Sequence, residues 1–509
     1  MKAEIFPALR EPGTVRRSAG SVPKVHSHEV PVGTAAHRRS ARRGWGTSDS
    51  ESPHSRGVFS NIKSNDMREA ESVRMHVWWE KIFGGPLRAI FIRALSIAAS
   101  FLLTAVVARS LTINEAGTFF IVFTSVAVLA TFCRFGTDNL LLKLCSREGA
   151  APVRATVFAT LIAVSATVVA FTLILLAMAV FPVKVDGVSS ATLIFAVSAA
   201  APQALSVMAG AVLRARGNLA TGGLAELGSV PMLTLIVIPI LAAFAEQSLE
   251  STLLSLGIGS WVTFAWSVPL ACKVLYRAQA ASSDDIHEIS FMHFFRLNIR
   301  RLSSMMGASL LFFAIAWAPL YFLTAVNDLV GVSYFSVAMR LANFISLVPN
   351  LQISYLAPAF ARKYQHNRIE ELNALAGNSV KQAVLVLFIP VVIMIAGSGH
   401  IMIALFGRQY QEAGDMLVLL AIGAYFSVAL GQVSQLMLLC DLESVALMLT
   451  FAAVSVWAIG GLPIATLYGS DAIAAISAGV NVAYSGMASW MLFRNKGIKS
   501  YLQLRKRAR

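Results

Sequence analysis

Acidic side chains are nearly missing from the long apolar stretches of this chain, and that scarcity excludes more than any motif includes. Across the 509 residues there are 27 Asp and Glu against 42 Lys and Arg, and only 14% of residues are charged. The four cysteines, Cys133, Cys145, Cys272 and Cys440, form no CxxC pair and have no histidine at metal-ligand spacing, so neither a disulfide nor a metal site is expected. No GxxxxGK[ST] run occurs, which removes ATP hydrolysis as an energy source, and nothing calls for a cofactor. Every loop on the side poor in basic residues is short, with no carboxylate-rich insert of the kind a polytopic glycosyltransferase, polymerase or ligase carries. Ser282-Ser283-Asp284-Asp285 is the one acidic pair worth weighing, and it lacks the glycines that would hold a nucleotide sugar.

What the chain has is hydrocarbon. At 56% hydrophobic residues and a mean hydropathy of +0.66, it carries too much apolar surface for a soluble protein. A bilayer core ~30 Å thick takes about 20 helical residues to cross. Runs of that kind fall near 88–110, 117–137, 153–181, 189–213, 222–245 and 251–272, then 303–325, 330–352, 381–404, 412–440, 445–467 and 471–493. The reading is an all-α polytopic membrane protein of about 12 transmembrane helices in two six-helix halves facing a central cavity.

Basic residues alternate between loops. One side holds Lys143, Arg147 and Arg154, then Arg214 and Arg216, then Lys273, Arg277, Arg296, Arg300 and Arg301, then Arg362, Lys363, Arg368 and Lys381, then the tail from Arg494 to Arg509. The other side holds Lys184 and Arg408, with Arg109 at a helix end. Short basic loops stay cytoplasmic during insertion, so both termini are expected in the cytoplasm. The formal net charge of +15 then faces anionic lipid headgroups, and no nucleic-acid partner is needed to explain it.

The organisation expected is a basic tail over 1–80, a first half over 81–272, a cytoplasmic linker over 273–302, a second half over 303–493 and a basic tail over 494–509. The first segment, with His37-Arg38-Arg39-Ser40-Ala41-Arg42-Arg43, has too little apolar content to fold. A start at Met67 or Met75 is the alternative reading of that segment, since Trp78-Trp79 and Lys81 form an interfacial anchor ahead of the first span. Ala116-Gly117-Thr118-Phe119-Phe120 is echoed by Val330-Gly331-Val332-Ser333-Tyr334-Phe335, two helices into each half, and Ala211 to Gly217 by Met437 to Asp441. Parallel repeats of this kind rock about a central site. Prolines at 202, 231, 239, 269, 319, 349, 390 and 463 are expected to bend the spans.

A charged side chain at mid-bilayer costs at least ~2.5–3.5 kcal/mol, which makes each one a functional candidate. Arg340 is near the middle of the eighth span, where it meets either an anion in an aqueous cavity or a structural partner. Arg93 enters the first span by roughly 7.5 Å at 1.5 Å per residue, and Arg134 is at similar depth in the second; both are within snorkelling reach of water. If the halves are repeats, the three point to one basic vestibule, and a guanidinium suits phosphate through bidentate hydrogen bonds. Glu226, the acid best placed near a span interior, is expected to pair with Arg214 or Arg216. Asn343, Gln352, Gln432 and Asn481 are scattered polar candidates for sugar contacts.

Ala108-Arg109 closing the first span, Ala116-Gly117-Thr118-Phe119 opening the second and Arg134-Phe135-Gly136-Thr137 closing it carry a family likeness. So do Leu405-Phe406-Gly407-Arg408-Gln409-Tyr410 and Leu467-Tyr468-Gly469-Ser470-Asp471-Ala472. Over about 85–500 the chain resembles the O-antigen and exopolysaccharide flippases of the multidrug/oligosaccharidyl-lipid/polysaccharide exporter superfamily. The resemblance implies twelve to fourteen helices in two lobes, and a polyprenyl-pyrophosphate-linked oligosaccharide moved to the periplasmic leaflet of the bacterial inner membrane. It also implies cavity arginines, to which Arg340, Arg93 and Arg134 correspond by helix and depth. Membrane lipids, a polysaccharide polymerase and a chain-length regulator would be its partners. The alternatives are a cation-coupled multidrug antiporter of the same superfamily, a flippase of the peptidoglycan precursor, and a polymerase or ligase enzyme.

Overall fold

The computed structural model describes residues 86–145, 153–180, 188–244, 246–280, 290–440 and 442–502. The tail 1–80, Ser282–Asp285, Arg147, Lys184, Asp441 and the last basic residues of the C-terminal tail are outside them.

Helices fill the described residues, as a hydrocarbon solvent that cannot satisfy open backbone groups requires. The first half runs α1 (Pro86–Ser110), α2 (Ile113–Arg134), the short α3 (Thr137–Cys145), α4 (Val153–Val180), α5 (Ser190–Ser198) with α6 (Ala200–Ala215), α7 (Leu219–Gly223) with α8 (Ser229–Ala242), and α9 (Leu249–Ala280). The second runs α10 (Phe291–Ala325), α11 (Leu329–Ala342) with α12 (Leu347–Gln365), α13 (Ile369–Ala396) with α14 (Ser398–Phe406), α15 (Ala413–Leu430) with α16 (Val433–Leu439), and α17 (Glu443–Lys496). Ten of these stretches are long and apolar enough to span singly, and α10, bent by 49° near its middle, is an eleventh. The last of the ten, 53 residues over Ser444–Lys496, would be about 80 Å long at 1.5 Å per residue, more than twice a bilayer core. It is broken at Gly469, whose φ of 73° leaves the helical region. On one side of the break Trp457 stacks on Phe322 of α10; on the other Gly423 of α15 abuts Ala478 and Ser485 bonds Ser427. Those two packing partners make it two crossings, and the expected twelve fit.

Several expected spans are composite. The eighth is interrupted by a 3-10 turn at Asn343–Ser346, the fourth at Ala199, and the fifth by a π-helical turn at Leu224–Gly228. Three of the prolines, Pro202, Pro231 and Pro349, fall in the first turn after these breaks, where a missing N–H leaves no bond unmade. Pro239, Pro269, Pro319, Pro390 and Pro463 are inside helices.

The helix ends sort onto two faces. Gly117 meets the backbone of Leu329, Gly331 meets Asp328 and Ser470, and Arg109 reaches Ala404 and Leu405, which gathers the loops poor in basic residues at one end. At the other end Gly136 meets Leu302, Asn373 bonds Gly497, and Gly431 abuts Ser500. This second end, the basic face, carries Arg214, Arg362, Lys363, Arg368, Lys496 and Lys499.

The first pair of echoed segments meet each other. A Cβ at Gly117 would come within 2.2 Å of the Leu329 carbonyl oxygen, so α2 and α11 cross at a contact only glycine permits. The Gly117→Ala variant is expected to lose about 1–3 kcal/mol of stability, read as a lower unfolding midpoint in detergent, while Gly223→Ala, with nothing within 4 Å of its Cβ position, should be near neutral.

Candidate functional site

The apolar sequence of α11 turns every residue from Gly331 to Ala338 into the core, and Arg340 follows two residues later at the point where α1, α2 and α11 converge. Its Nη1 donates to Ser100 Oγ at 3.0 Å and to the Ser100 carbonyl at 3.4 Å. Its Cζ is 5.0 Å from the ring centroid of Phe123 and 5.7 Å from that of Phe120. Among the described residues no carboxylate is within 4 Å of it, and its Nε is buried without a partner, as is Ser336 Oγ one turn away. One guanidinium edge is therefore held by a serine and two aromatic faces, and the charge itself is uncompensated by a local acid.

Phe101 of α1 packs on the second half at two places, 5.7 Å from Phe406 near the far end of α14 and 5.1 Å from Phe344, one turn past Arg340 toward the basic face. α1 also packs along span five of its own half, where Gly228 lets Ser96 approach, and α12 packs on α13 and α16. At the basic face α10 covers the end of α2 and α4, with Phe291 and Phe294 against Phe158.

Arg93 is exposed on α1, seven residues before Ser100. Seven residues are nearly two turns, so both face the same way, about 10.5 Å apart. Arg93 accordingly lies on the face of α1 that presents Ser100 to Arg340. Arg134 does not join them in a shared pocket: it pairs with Asp138 at 3.0 Å and bonds Thr131 Oγ1 at 2.7 Å, at the left-handed turn through Phe135 and Gly136.

Glu226 pairs with Arg214 at 3.0 Å. Span four crosses span five at Gly210 and Gly222, where a Cβ on either would press on the other's carbonyl, and this approach brings the two charges together. The π-turn that carries Glu226 had no apolar-period signal; Gly222, Gly223 and Gly228 around it were the visible cue. Of the polar candidates, Gln352 and Gln432 bond each other, Ser379 and Pro349 within the second half, whereas Asn343 is exposed three residues past Arg340.

No known family model matches the chain, and no curated protein matches it. Solved structures do. A mutant of the Vibrio cholerae MATE transporter VcmN aligns over 82% of this chain and 96% of its own, at TM-score 0.55 and 13% identity. The lipid II flippase MurJ in an inward closed conformation aligns over 81% and 87%, at 0.53 and 15%. A MOP superfamily transporter from Pyrococcus furiosus, whose binding pocket is described as of reverse polarity, aligns over 82% and 97%, at 0.52 and 14%. The shared property is the fold.

The Arg214–Glu226 pair, 31% and 21% exposed, should behave as a partly buried one. Arg214→Gln is expected to cost about 1–3 kcal/mol, with Arg214→Gln/Glu226→Gln recovering part of it; a double-mutant cycle on the unfolding midpoint should give a coupling of about 0.5–2 kcal/mol.

Proposed function

We propose that this protein is a flippase that moves a polyprenyl-diphosphate-linked oligosaccharide from the cytoplasmic to the periplasmic leaflet of a bacterial inner membrane, by alternating access. The observation that carries it is Arg340, a mid-membrane guanidinium with a buried unpartnered Nε and, among the described residues, no acid within 4 Å, while Arg93 lies on the same face of α1 as its partner Ser100. A diphosphate supplies the charge such a site lacks, through short charge-assisted hydrogen bonds. The fold is also that of MurJ, a lipid II flippase.

The basic face is cytoplasmic by the charge rule, which puts both termini there. Arg134, held by Asp138, contributes positive field near that face rather than a direct contact. The polymerase and chain-length regulator remain the partners this role calls for.

A cation-coupled multidrug antiporter of the same superfamily is the rival, since several of the similar structures are multidrug MATE transporters. Such a mechanism uses an embedded carboxylate free to exchange cations. Glu226, the acid set within a span of the first half, is already matched by Arg214, which favours an anionic substrate.

Complementation of a flippase-deficient strain tests this. Wild type should restore polymer, and Arg340→Ala, at equal membrane abundance, should lower it at least tenfold with lipid-linked repeat units accumulating on the cytoplasmic side. Arg340→Lys, which keeps the charge but loses the planar fork, should fall between. Full activity of Arg340→Ala would make the residue structural.

A further inference from the structure

The far face is shut by a reciprocal exchange of caps. Arg109, at the end of α1, donates its Nε to the Leu405 carbonyl at 2.9 Å and an Nη2 to the Ala404 carbonyl, both in the last turn of α14. Gln409, just beyond α14, donates its Nε2 back to the Ala108 carbonyl at 2.7 Å and the Leu111 carbonyl at 3.3 Å, at the end of α1. The last carbonyls of a helix have no partner within it. Here each of two helices, one from each half, has its orphan carbonyls satisfied by a side chain from the other, and Arg109 adds a positive charge at the negative end of α14.

A second layer backs this exchange. The Tyr410 hydroxyl is 2.8 Å from Ser333 Oγ, and the Tyr334 hydroxyl donates to the Gln409 carbonyl at 3.1 Å. Tyr410 is fully buried, and burial pushes its phenol up to about 12 despite the Ser333 bond, so it stays neutral at physiological pH. These contacts are all within the second half and hold the loop that presents Gln409. They leave the crossing between halves at this point to Arg109 and Gln409.

We infer that the Arg109–Gln409 exchange is the outer latch, and that it must part for the far face to open. Both ends are next to water, so the four carbonyls it releases are rehydrated on opening. That makes the latch reversible, unlike the dry packing around Phe101, Phe344 and Phe406 beneath it. The assignment rests on the alternating-access reading given above.

Its test needs no substrate. In the full-length chain with its native cysteines replaced, spin labels at cysteines introduced for Asn114 and Gln411, exposed at the far face of either half, report the outer distance. Labels at Arg88 and Gln365, exposed at the basic face, report the inner one. In Arg109→Gln and in Gln409→Ala, each removing one direction of the exchange, the outer pair should gain a longer distance and the inner pair a shorter one. The ratio of outward-open to outward-closed molecules should rise about tenfold or more, as the loss of a pair of hydrogen bonds implies. Unchanged distributions at both pairs, or outer broadening with no inner shortening, would overturn the latch. Because each variant acts alone, a folding defect in one, visible in its melting curve, leaves the other decisive. A latch confirmed without diphosphate-dependent transport would sink the substrate reading and spare the gate.

Discussion

A positive charge held at mid-membrane depth, with no acid within 4 Å among the described residues, is the constraint on which the rest depends. Arg340 is tolerated because Ser100 takes one edge of the guanidinium and Phe120 and Phe123 face its plane. Cation–π contacts of this kind contribute about 2 kcal/mol or more when desolvated, and a serine oxygen and carbonyl add charge-assisted hydrogen bonds. These partners come from α1 and α2, so the charge can be housed only where the two halves meet. The same arrangement leaves Nε buried without an acceptor among the described residues.

α1 divides its contacts between the two halves. Ser100, Phe101 and Arg109 bind it to the second half, while it rests along span five of its own half. The glycine contact of Gly117 with Leu329 keeps α2 and α11 in register at the far face. Phe158, Phe291 and Phe294 pack α4 against α10 at the basic face.

Much of this was legible in sequence because lipid imposes a blunt code. Apolar runs of about 20 residues gave the spans, loop charge gave two faces, and Arg340 stood out as a cation where cations are costly. The Gly117 and Gly331 echo pointed to two segments that turn out to lie at the same end of the fold. What was hidden were events without hydrophobic period. The π-turn at Glu226, the 3-10 turn at Asn343 and the break at Ala199 change the backbone inside runs that look uniformly apolar. Contacts between distant residues were hidden as well: Arg109 and Gln409 are 300 residues apart, and each looks like an ordinary polar residue at a helix end. Arg134 illustrates the limit for charges, since its partner Asp138 is only one turn on, across a left-handed turn that the sequence does not announce.

Direct binding of a short-chain polyprenyl diphosphate, compared with the corresponding polyprenyl alcohol, tests the central claim. If Arg340 is an anion site, the purified wild-type protein binds the diphosphate at least tenfold more tightly than the alcohol. That preference weakens with salt and disappears in Arg340→Ala while alcohol binding is unchanged. Equal binding of diphosphate and alcohol by the wild type, or a preference that survives the loss of Arg340, would contradict it.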